Sequence, residues 1–269
     1  MRAMTESSEG TGSGGAGSSG AGSGRAGSSG AGSSGAAELE LADWRRRVAR
    51  LYAEVRSLYP NDAVAAWQLW RTERETLYRE HSQSPVKAAE RASFRAHHWD
   101  YDPRFAFELE VMPDAPAAES RVEPRAETTV NPMGLPTITY LGEMGATSPL
   151  ALPVSGGGTM AFRRIGSVAV PLPDGERRLA LYWMESYSGG LFLPFRDATN
   201  GAQTYGAGRY VLDAAKSADL GGDPVRRTLI CDFNFAYQPS CAFDPRWACP
   251  LAPPENRLDV AVPAGERLG

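Results

Sequence analysis

The sequence predicts an α+β fold: N-terminal helices packed on an antiparallel β-sheet or a partly closed β-barrel, preceded by a disordered N-terminal tail. Three observations predict it: a Gly/Ser/Ala run at the start, apolar residues at helical spacing after it, and apolar alternation at strand spacing in the second half. No helical pattern alternates with the predicted strands, which disfavours a parallel α/β sheet.

The predicted tail spans residues 1–36. From Thr11 to Gly35 the chain contains only Gly, Ser, Ala, one Thr and Arg25. Such a segment buries almost no apolar surface, so it cannot offset its conformational entropy. We expect residues 37–269 to form one compact unit, helical over 37–103 and β-rich over 104–269.

The first helix is predicted by apolar residues that alternate spacings of three and four. These residues are Leu41, Trp44, Val48, Leu51, Val55 and Leu58. We favour a helix that packs on its own domain. The alternative is a helix that pairs with a second copy or with another protein, so the sequence leaves monomer and homodimer open.

A second helix is predicted from Asp62 to His81, with Asp62 as its N-terminal cap. The pair Ser84-Pro85 resembles the start of another helix, because proline is favoured in the first turn. We therefore expect a short third helix carrying Phe94.

The strand predictions begin at Arg104–Val111, where apolar and charged residues alternate. Val168–Leu172 and Leu179–Trp183 flank Pro173-Asp174-Gly175, which predicts a β-hairpin. Shorter strands are predicted at Thr137–Leu141, Met160–Ile165, Leu191–Leu193, Arg209–Leu212, Leu229–Phe233 and Leu258–Val262.

Composition disfavours several classes of protein. The formal net charge is −4 with dispersed basic residues, whereas a surface that follows phosphates is basic, so we expect no nucleic-acid partner. The apolar run Leu179–Met184 is far shorter than the roughly 20 residues that cross a bilayer, so we expect no membrane span. Three cysteines and the lack of a signal-peptide pattern favour a cytoplasmic protein.

Three runs hold the densest concentration of unusual polar residues. They are LFLPFRDATNGAQTYGAGRY (191–210), DFNFAYQPSCAF (232–243) and CPLAPPENRL (249–258), followed by Ala264-Gly265-Glu266. These runs closely resemble the hallmark segments of a bacterial family catalogued as domain of unknown function 1684. The resemblance covers roughly Asp62 to the C-terminus. It implies a shared fold and a shared site, but it supplies no activity, and the cofactor stays unknown.

A candidate ligand site is predicted from the polar and aromatic residues of these runs. The set is Tyr205, Arg209, Tyr210, Asp232, Asn234, Tyr237 and Asn256. Arg209 has a planar fork of donors that suits a carboxylate or phosphate. The leading hypothesis is a binding module for a small anionic or polar molecule, with Arg209 as the anion anchor and the tyrosines around it.

Other interpretations stay open. Arg209 could pair with Asp232 to tie strands together, with the tyrosine hydroxyls bound to loop carbonyls. The protein could also be a hydrolase-type enzyme that uses Asp232 as a base or Cys241 as a nucleophile. A third hypothesis is an interaction module that works through the first helix.

The remaining motifs favour structural roles. Cys241 and Cys249 are interpreted as buried thiols, while a reversible bond between them, or a zinc site shared with Cys231, is the alternative. We expect no metal site. Asp197–Gly201 is predicted to be a hydrogen-bonded turn, and Gly206-Ala207-Gly208 a close approach of two backbones.

Overall fold

The computed structural model describes residues 35–114, 125–130, 136–141, 150–187 and 189–269, with only the backbone of 125–130 and 136–141. Residues 1–34 of the predicted tail lie outside these ranges. Two helices come first, and a strongly curled antiparallel half-barrel sheet follows them, which confirms the predicted fold class.

The two N-terminal helices are α1 (Ala36–Leu58) and α2 (Ala63–Glu80). The cap prediction is confirmed, because the Asp62 carboxylate accepts the N–H of Ala65 at 2.9 Å. Leu51 and Val55, on the predicted stripe of α1, are buried in a core shared with α2 and the sheet. No helix of the described chain has both the length and the apolar content to cross a membrane.

The predicted third helix is wrong. A single 3₁₀ turn, Arg91–Ser93, precedes Phe94 in its place. The guanidinium of Arg91 donates to the backbone carbonyls of Val86 at 3.0 Å and Ser82 at 2.9 Å. A side chain thus satisfies carbonyls in this segment, which folds as an irregular loop.

Twelve strands follow the helices within the described ranges. They are β1 (His97–His98), β2 (Ala106–Met112), β3 (Arg125–Val130), β4 (Pro136–Leu141), β5 (Leu150–Pro153), β6 (Thr159–Leu172), β7 (Gly175–Met184), β8 (Leu191–Phe195), β9 (Arg209–Asp213), β10 (Gly222–Asp223), β11 (Thr228–Asp232) and β12 (Glu266–Arg267).

The main sheet is antiparallel, in the order β10-β11-β2-β6-β7-β8-β9, with β5 also paired to β6. The predicted hairpin is confirmed as β6 and β7. The segments predicted as separate strands, 160–165 and 168–172, are one strand with a bulge at Gly166. Gly166 has φ +155°, and a Cβ there would collide with the carbonyl of Met112, so the bulge needs glycine.

The strand predicted at Leu258–Val262 is also wrong. This segment is irregular, although Leu258 and Val262 are buried in the core. Its backbone bonds go to a loop instead of a ladder: the N–H of Leu258 donates to the carbonyl of Arg196 at 2.7 Å, and the N–H of Ala198 donates to the carbonyl of Val260 at 3.0 Å. The apolar alternation therefore reflects burial without a sheet partner.

Alternate residues of the sheet face two cores. On β7, Ala180 and Tyr182 belong to the core beneath the helices, while Leu179 and Leu181 belong to the second core. This alternation is the period of two that places neighbouring side chains on opposite faces. The helices thus cover one face of the sheet, and Leu258 and Val262 pack on the other.

Candidate functional site

Arg209, the predicted anion anchor, is completely buried and donates to the chain's own oxygens. Its two terminal nitrogens contact the carboxylate of Asp197 at 3.1 Å and the backbone carbonyls of Val262, Ala264 and Glu266, while its Nε has no hydrogen-bond partner among the described residues. Burial lowers the pKa of Arg209 to about 10, which leaves it charged at neutral pH. The guanidinium reaches no open space, so the structure gives the predicted anchor no support.

The ion-pair partner of Arg209 is Asp197, not Asp232 as the strand-tying interpretation proposed. Asp197 also accepts the N–H of Val262 at 2.7 Å. The predicted turn at Asp197–Gly201 is confirmed, because the N–H of Asp197 donates to Asn200 Oδ1. Asp197 begins this turn, so its bonds to Arg209 and Val262 hold the C-terminal segment against the turn.

Asp232 and Asn234 link the end of β11 to the residue after α1, Tyr59, and to the segment before β2 that contains Tyr101 and Asp102. The buried carboxylate of Asp232 accepts the hydroxyls of Tyr59 and Tyr101, each at 3.0 Å, and two N–H groups of Asn234. Burial raises the pKa of Asp232, and these donors oppose the rise. The Asn234 amide in turn holds the backbone of Asp102. Four donors occupy the oxygens that a general base would use.

Tyr210 and Tyr237 are buried and hold backbone and carboxylate groups. The Tyr210 hydroxyl donates to the carbonyl of Pro250, as the structural interpretation predicted. The Tyr237 hydroxyl donates to Asp213 Oδ2 at 2.9 Å. Both rings therefore belong to the core, and neither is placed as the wall of a ligand site.

Asn256 fastens a loop to two strands. Its amide accepts the N–H of Ala180 at 2.7 Å and donates to the carbonyls of Ala180 at 2.9 Å and Pro194 at 2.7 Å. Its bonding capacity is thus met by backbone groups, which is how buried polar side chains usually stabilise irregular segments.

Of the seven predicted site residues, only Tyr205 is partly exposed. Its side chain lies against the thiol of Cys241, and the backbone N–H of Cys241 donates to the sulfur of Cys249 at 3.3 Å. All three cysteines are free thiols and are buried, as interpreted from the sequence. The described contacts of Cys241 include no histidine, so a hydrolase mechanism based on this thiol lacks its usual base.

A buried ion pair that the sequence analysis missed lies where α2 meets the C-terminus. The Arg74 guanidinium binds both oxygens of Glu266, at 2.5 and 3.2 Å. Burial works to raise the pKa of Glu266, but the charge and hydrogen bonds of Arg74, with the N–H of Gln238, hold it below its ordinary value. The run Ala264-Gly265-Glu266 was the available signal for this pair.

Beside this pair, a polar cleft of about 370 Å³ runs along α2. Its lining combines two arginines, one carboxylate, small polar side chains and a histidine. The lining residues are Gln68, Arg71, Thr72, Glu75, Thr76, Arg79, Ala96 and His98. The cleft was not predicted, because its residues come from one face of α2 and from the distant segment 96–98, which includes the short strand β1.

Arg71 is the free cation of this cleft within the described ranges. Its guanidinium stacks over the ring of Trp67, with Cζ 4.4 Å from the ring centroid. Its Nε is buried without a hydrogen-bond partner among the described residues, and Arg71 forms no ion pair with a described carboxylate. The Nε of Arg209 is also without a partner among the described residues, but Arg209 is enclosed in the core, whereas Arg71 lines the cleft. Because buried donors are nearly always satisfied in folded proteins, an acceptor in the cleft would complete the bonding of Arg71.

His98 forms the inner wall of the cleft. Its side chain is 1% exposed and packs edge-on against Trp67 and Trp70. Within the described part of the chain, neither ring nitrogen has a well-formed hydrogen bond, and Nε2 lies 3.9 Å from Glu266 Oε1. Burial lowers the pKa of His98 to about 4, so the ring is neutral at physiological pH and can donate one hydrogen bond.

The cleft carries a net positive charge. Arg71 and Arg79 supply two charges, and Glu75 offsets one of them. The Glu75 carboxylate is engaged by the N–H of Ala96 at 3.1 Å and lies 4.0 Å from Arg79. Such an arrangement can hold an anion. Among the described residues, no group of three or more His, Cys, Asp or Glu side chains is placed to hold a metal ion.

The comparison with family models agrees with the family resemblance. Residues 137–267 match the model of a family described as protein of unknown function (DUF1684). A solution NMR structure of an uncharacterised protein from Haloarcula marismortui is 28% identical, with a TM-score of 0.46, and the match covers 75% of this chain and 91% of that chain. No curated protein matches the sequence.

Proposed function

We propose that this protein binds a small anionic molecule in the cleft along α2, with Arg71 as the anion anchor. The observation that carries the proposal is the buried Nε of Arg71, a charged donor without a partner among the described residues, at the wall of a positive cleft. The ligand class is the one predicted from sequence, but the anchor is a different arginine, since Arg209 is already bound to Asp197.

The stacking of Arg71 on Trp67 supports this role. A guanidinium held over an indole ring loses little further side-chain freedom when a ligand binds, so less of the binding free energy is lost to ordering. Its planar fork suits the two oxygens of a carboxylate or phosphate. Arg79, on the exposed side of the same cleft, adds long-range attraction.

The neutral His98 ring narrows the choice of ligand. A neutral imidazole donates through one nitrogen and accepts through the other. It can therefore bind an anion oxygen without adding charge, or accept from a ligand hydroxyl. We infer a compact ligand with one acidic group and at least one further polar group, such as a hydroxy acid or a small phosphate ester.

We place this function in the cytoplasm. All three cysteines are free, including Cys241 and Cys249, which are in hydrogen-bond contact. Free buried cysteines, present in an odd number, are typical of proteins in a reducing compartment.

Isothermal titration calorimetry with inorganic phosphate and with succinate tests the proposal. We expect both anions to bind the wild-type protein and Arg71→Gln to weaken binding about tenfold or more, since a hydrogen bond to a charged group contributes about 1.5–3 kcal/mol. The matched control is Arg50→Gln, which removes an exposed arginine of α1 outside the cleft.

Two results would contradict the proposal. One is wild-type protein that binds neither anion. The other is an Arg71→Gln variant that binds as tightly as Arg50→Gln while its unfolding midpoint matches that of the wild type.

A further inference from the structure

We infer that Cys241 and Cys249 form a reactive dithiol site, in which a small hydroperoxide oxidises Cys241 and Cys249 then closes a disulfide with it. This inference is independent of the anion cleft. It is based on the contacts of the two sulfurs, which lie in the second and third of the motif runs described above.

The two cysteines are held against each other by short contacts. The N–H of Cys241 donates to the sulfur of Cys249 at 3.3 Å, which holds the Cys249 sulfur against the backbone of Cys241. Ser155 fixes the other side of the pair: its hydroxyl accepts the N–H of Cys249 at 3.0 Å. Its own N–H donates to the Cys249 carbonyl at 3.0 Å. The sulfurs can therefore meet without rearrangement of the sheet.

The surroundings of Cys241 favour its thiolate. The thiol of Cys249 and the hydroxyl of Tyr205 can donate to its sulfur, and Ser155 lies beside it with its own hydroxyl donating to the carbonyl of Trp247 at 3.1 Å. The bond from Cys249 is the largest of these effects, and despite opposition from burial they lower the pKa of Cys241 to about 6. Cys249 consequently keeps its proton. The pair thus contains one nucleophile and one thiol that can react in the next step.

The chemistry balances with the hydroperoxide as the oxidant. The Cys241 thiolate attacks the terminal peroxide oxygen and the O–O bond breaks; the released alkoxide, or hydroxide when the oxidant is hydrogen peroxide, takes up a proton to give an alcohol or water. Cys249 then attacks the sulfur of the resulting sulfenic acid. The S–O bond breaks as the S–S bond forms, and the thiol proton of Cys249 leaves with the hydroxide as water. Two thiols lose two electrons, and the peroxide gains them.

Burial determines which oxidants can enter. Cys241 is 6% exposed and Cys249 is 3% exposed, so only a small molecule reaches the sulfur. Cys231 supplies an internal comparison, because it is fully buried in the second core and burial raises its pKa to about 12. A thiol of that kind reacts slowly with peroxides.

The test is intact-mass and peptide-mapping mass spectrometry of the full chain after treatment with hydrogen peroxide at neutral pH. In the wild type we expect the loss of two hydrogens, a disulfide between Cys241 and Cys249, and an unmodified Cys231. Cys249→Ser should instead gain one oxygen on Cys241, since no second thiol resolves the sulfenic acid. Cys241→Ser should react as slowly as Cys231 does in the wild type.

A variant outside the pair tests whether the rate of oxidation depends on stabilisation of the Cys241 thiolate or only on the closeness of the two cysteines. Tyr205→Phe removes one donor to the sulfur, and we expect oxidation to slow several-fold with an unchanged melting temperature. The inference is overturned if Cys231 is oxidised as fast as Cys241, if the wild type keeps all three thiols, or if Cys241→Ser is oxidised as fast as the wild type.

Discussion

Arg209→Met is expected to lower the free energy of unfolding by about 3–5 kcal/mol, the usual cost of removing one partner from a buried ion pair. Asp197 would stay buried without its counter-charge, and the carbonyls of Val262 and Ala264 would lose their donors. These bonds link the C-terminal segment to β9, so we expect that segment to detach in the variant.

Urea unfolding followed by circular dichroism measures this effect. The control is Arg226→Met, which breaks two exposed ion pairs, with Asp223 and Glu108, and should cost less than about 1 kcal/mol. If Arg209→Met does not fold, the double variant Arg209→Met/Asp197→Leu should recover part of the stability, since it leaves no unpaired charge. An Arg209→Met variant as stable as the control would contradict the clamp.

The second large effect is a loss of stability as pH falls from about 6.5 to about 4, caused by His98. The pKa of this ring is 6.5 when it is exposed, as in the unfolded chain, and about 4 in the folded protein. Between these values the unfolded chain binds a proton that the folded chain does not, so acid favours unfolding. The shift corresponds to about 3 kcal/mol, lost progressively across that window.

Comparison with a His98→Gln variant isolates this contribution. The free energy of unfolding of the wild type should fall relative to that of the variant as pH falls through the window, because only the wild type is destabilised by acid at this position. The lowered pKa of Glu266 also stabilises the folded protein. That stabilisation is lost at lower pH, as pH falls through the pKa of Glu266 in the folded state. Parallel stability curves for wild type and variant from pH 7 to pH 4 would contradict the assignment.

Periodicity was a reliable guide to the elements that make many local bonds. The stripe on α1, the capped start of α2 and the β6–β7 hairpin all follow from short-range pattern. The strand predicted at Leu258–Val262 was wrong, because apolar alternation indicates only which residues are buried. Here they are buried by packing against the sheet, and no neighbouring strand pairs with the segment. The third helix predicted from Ser84-Pro85 was wrong, because the segment after this pair is an irregular loop in which the Arg91 side chain binds the backbone carbonyl of Val86.

The candidate site could not be located from composition alone. Residue types suited to a ligand, such as Arg209 and Asn256, are the same types that satisfy buried backbone groups, and only their neighbours distinguish the two roles. The cleft depends on contacts between distant parts of the chain: Arg71 lies on α2, while His98 belongs to a strand paired with the C-terminus. No local pattern encodes that meeting.

The most direct measurement is a ¹H–¹⁵N NMR titration of the arginine side-chain Nε–H groups with inorganic phosphate. If Arg71 anchors the anion, the chemical shift of its Nε–H resonance changes progressively with phosphate until the site is saturated. The chemical shift of Arg209, which is buried beneath the C-terminal segment, stays constant. Movement of the Arg209 resonance with an unmoved Arg71 would show that the buried clamp opens to ligand and that the cleft along α2 is not the binding site.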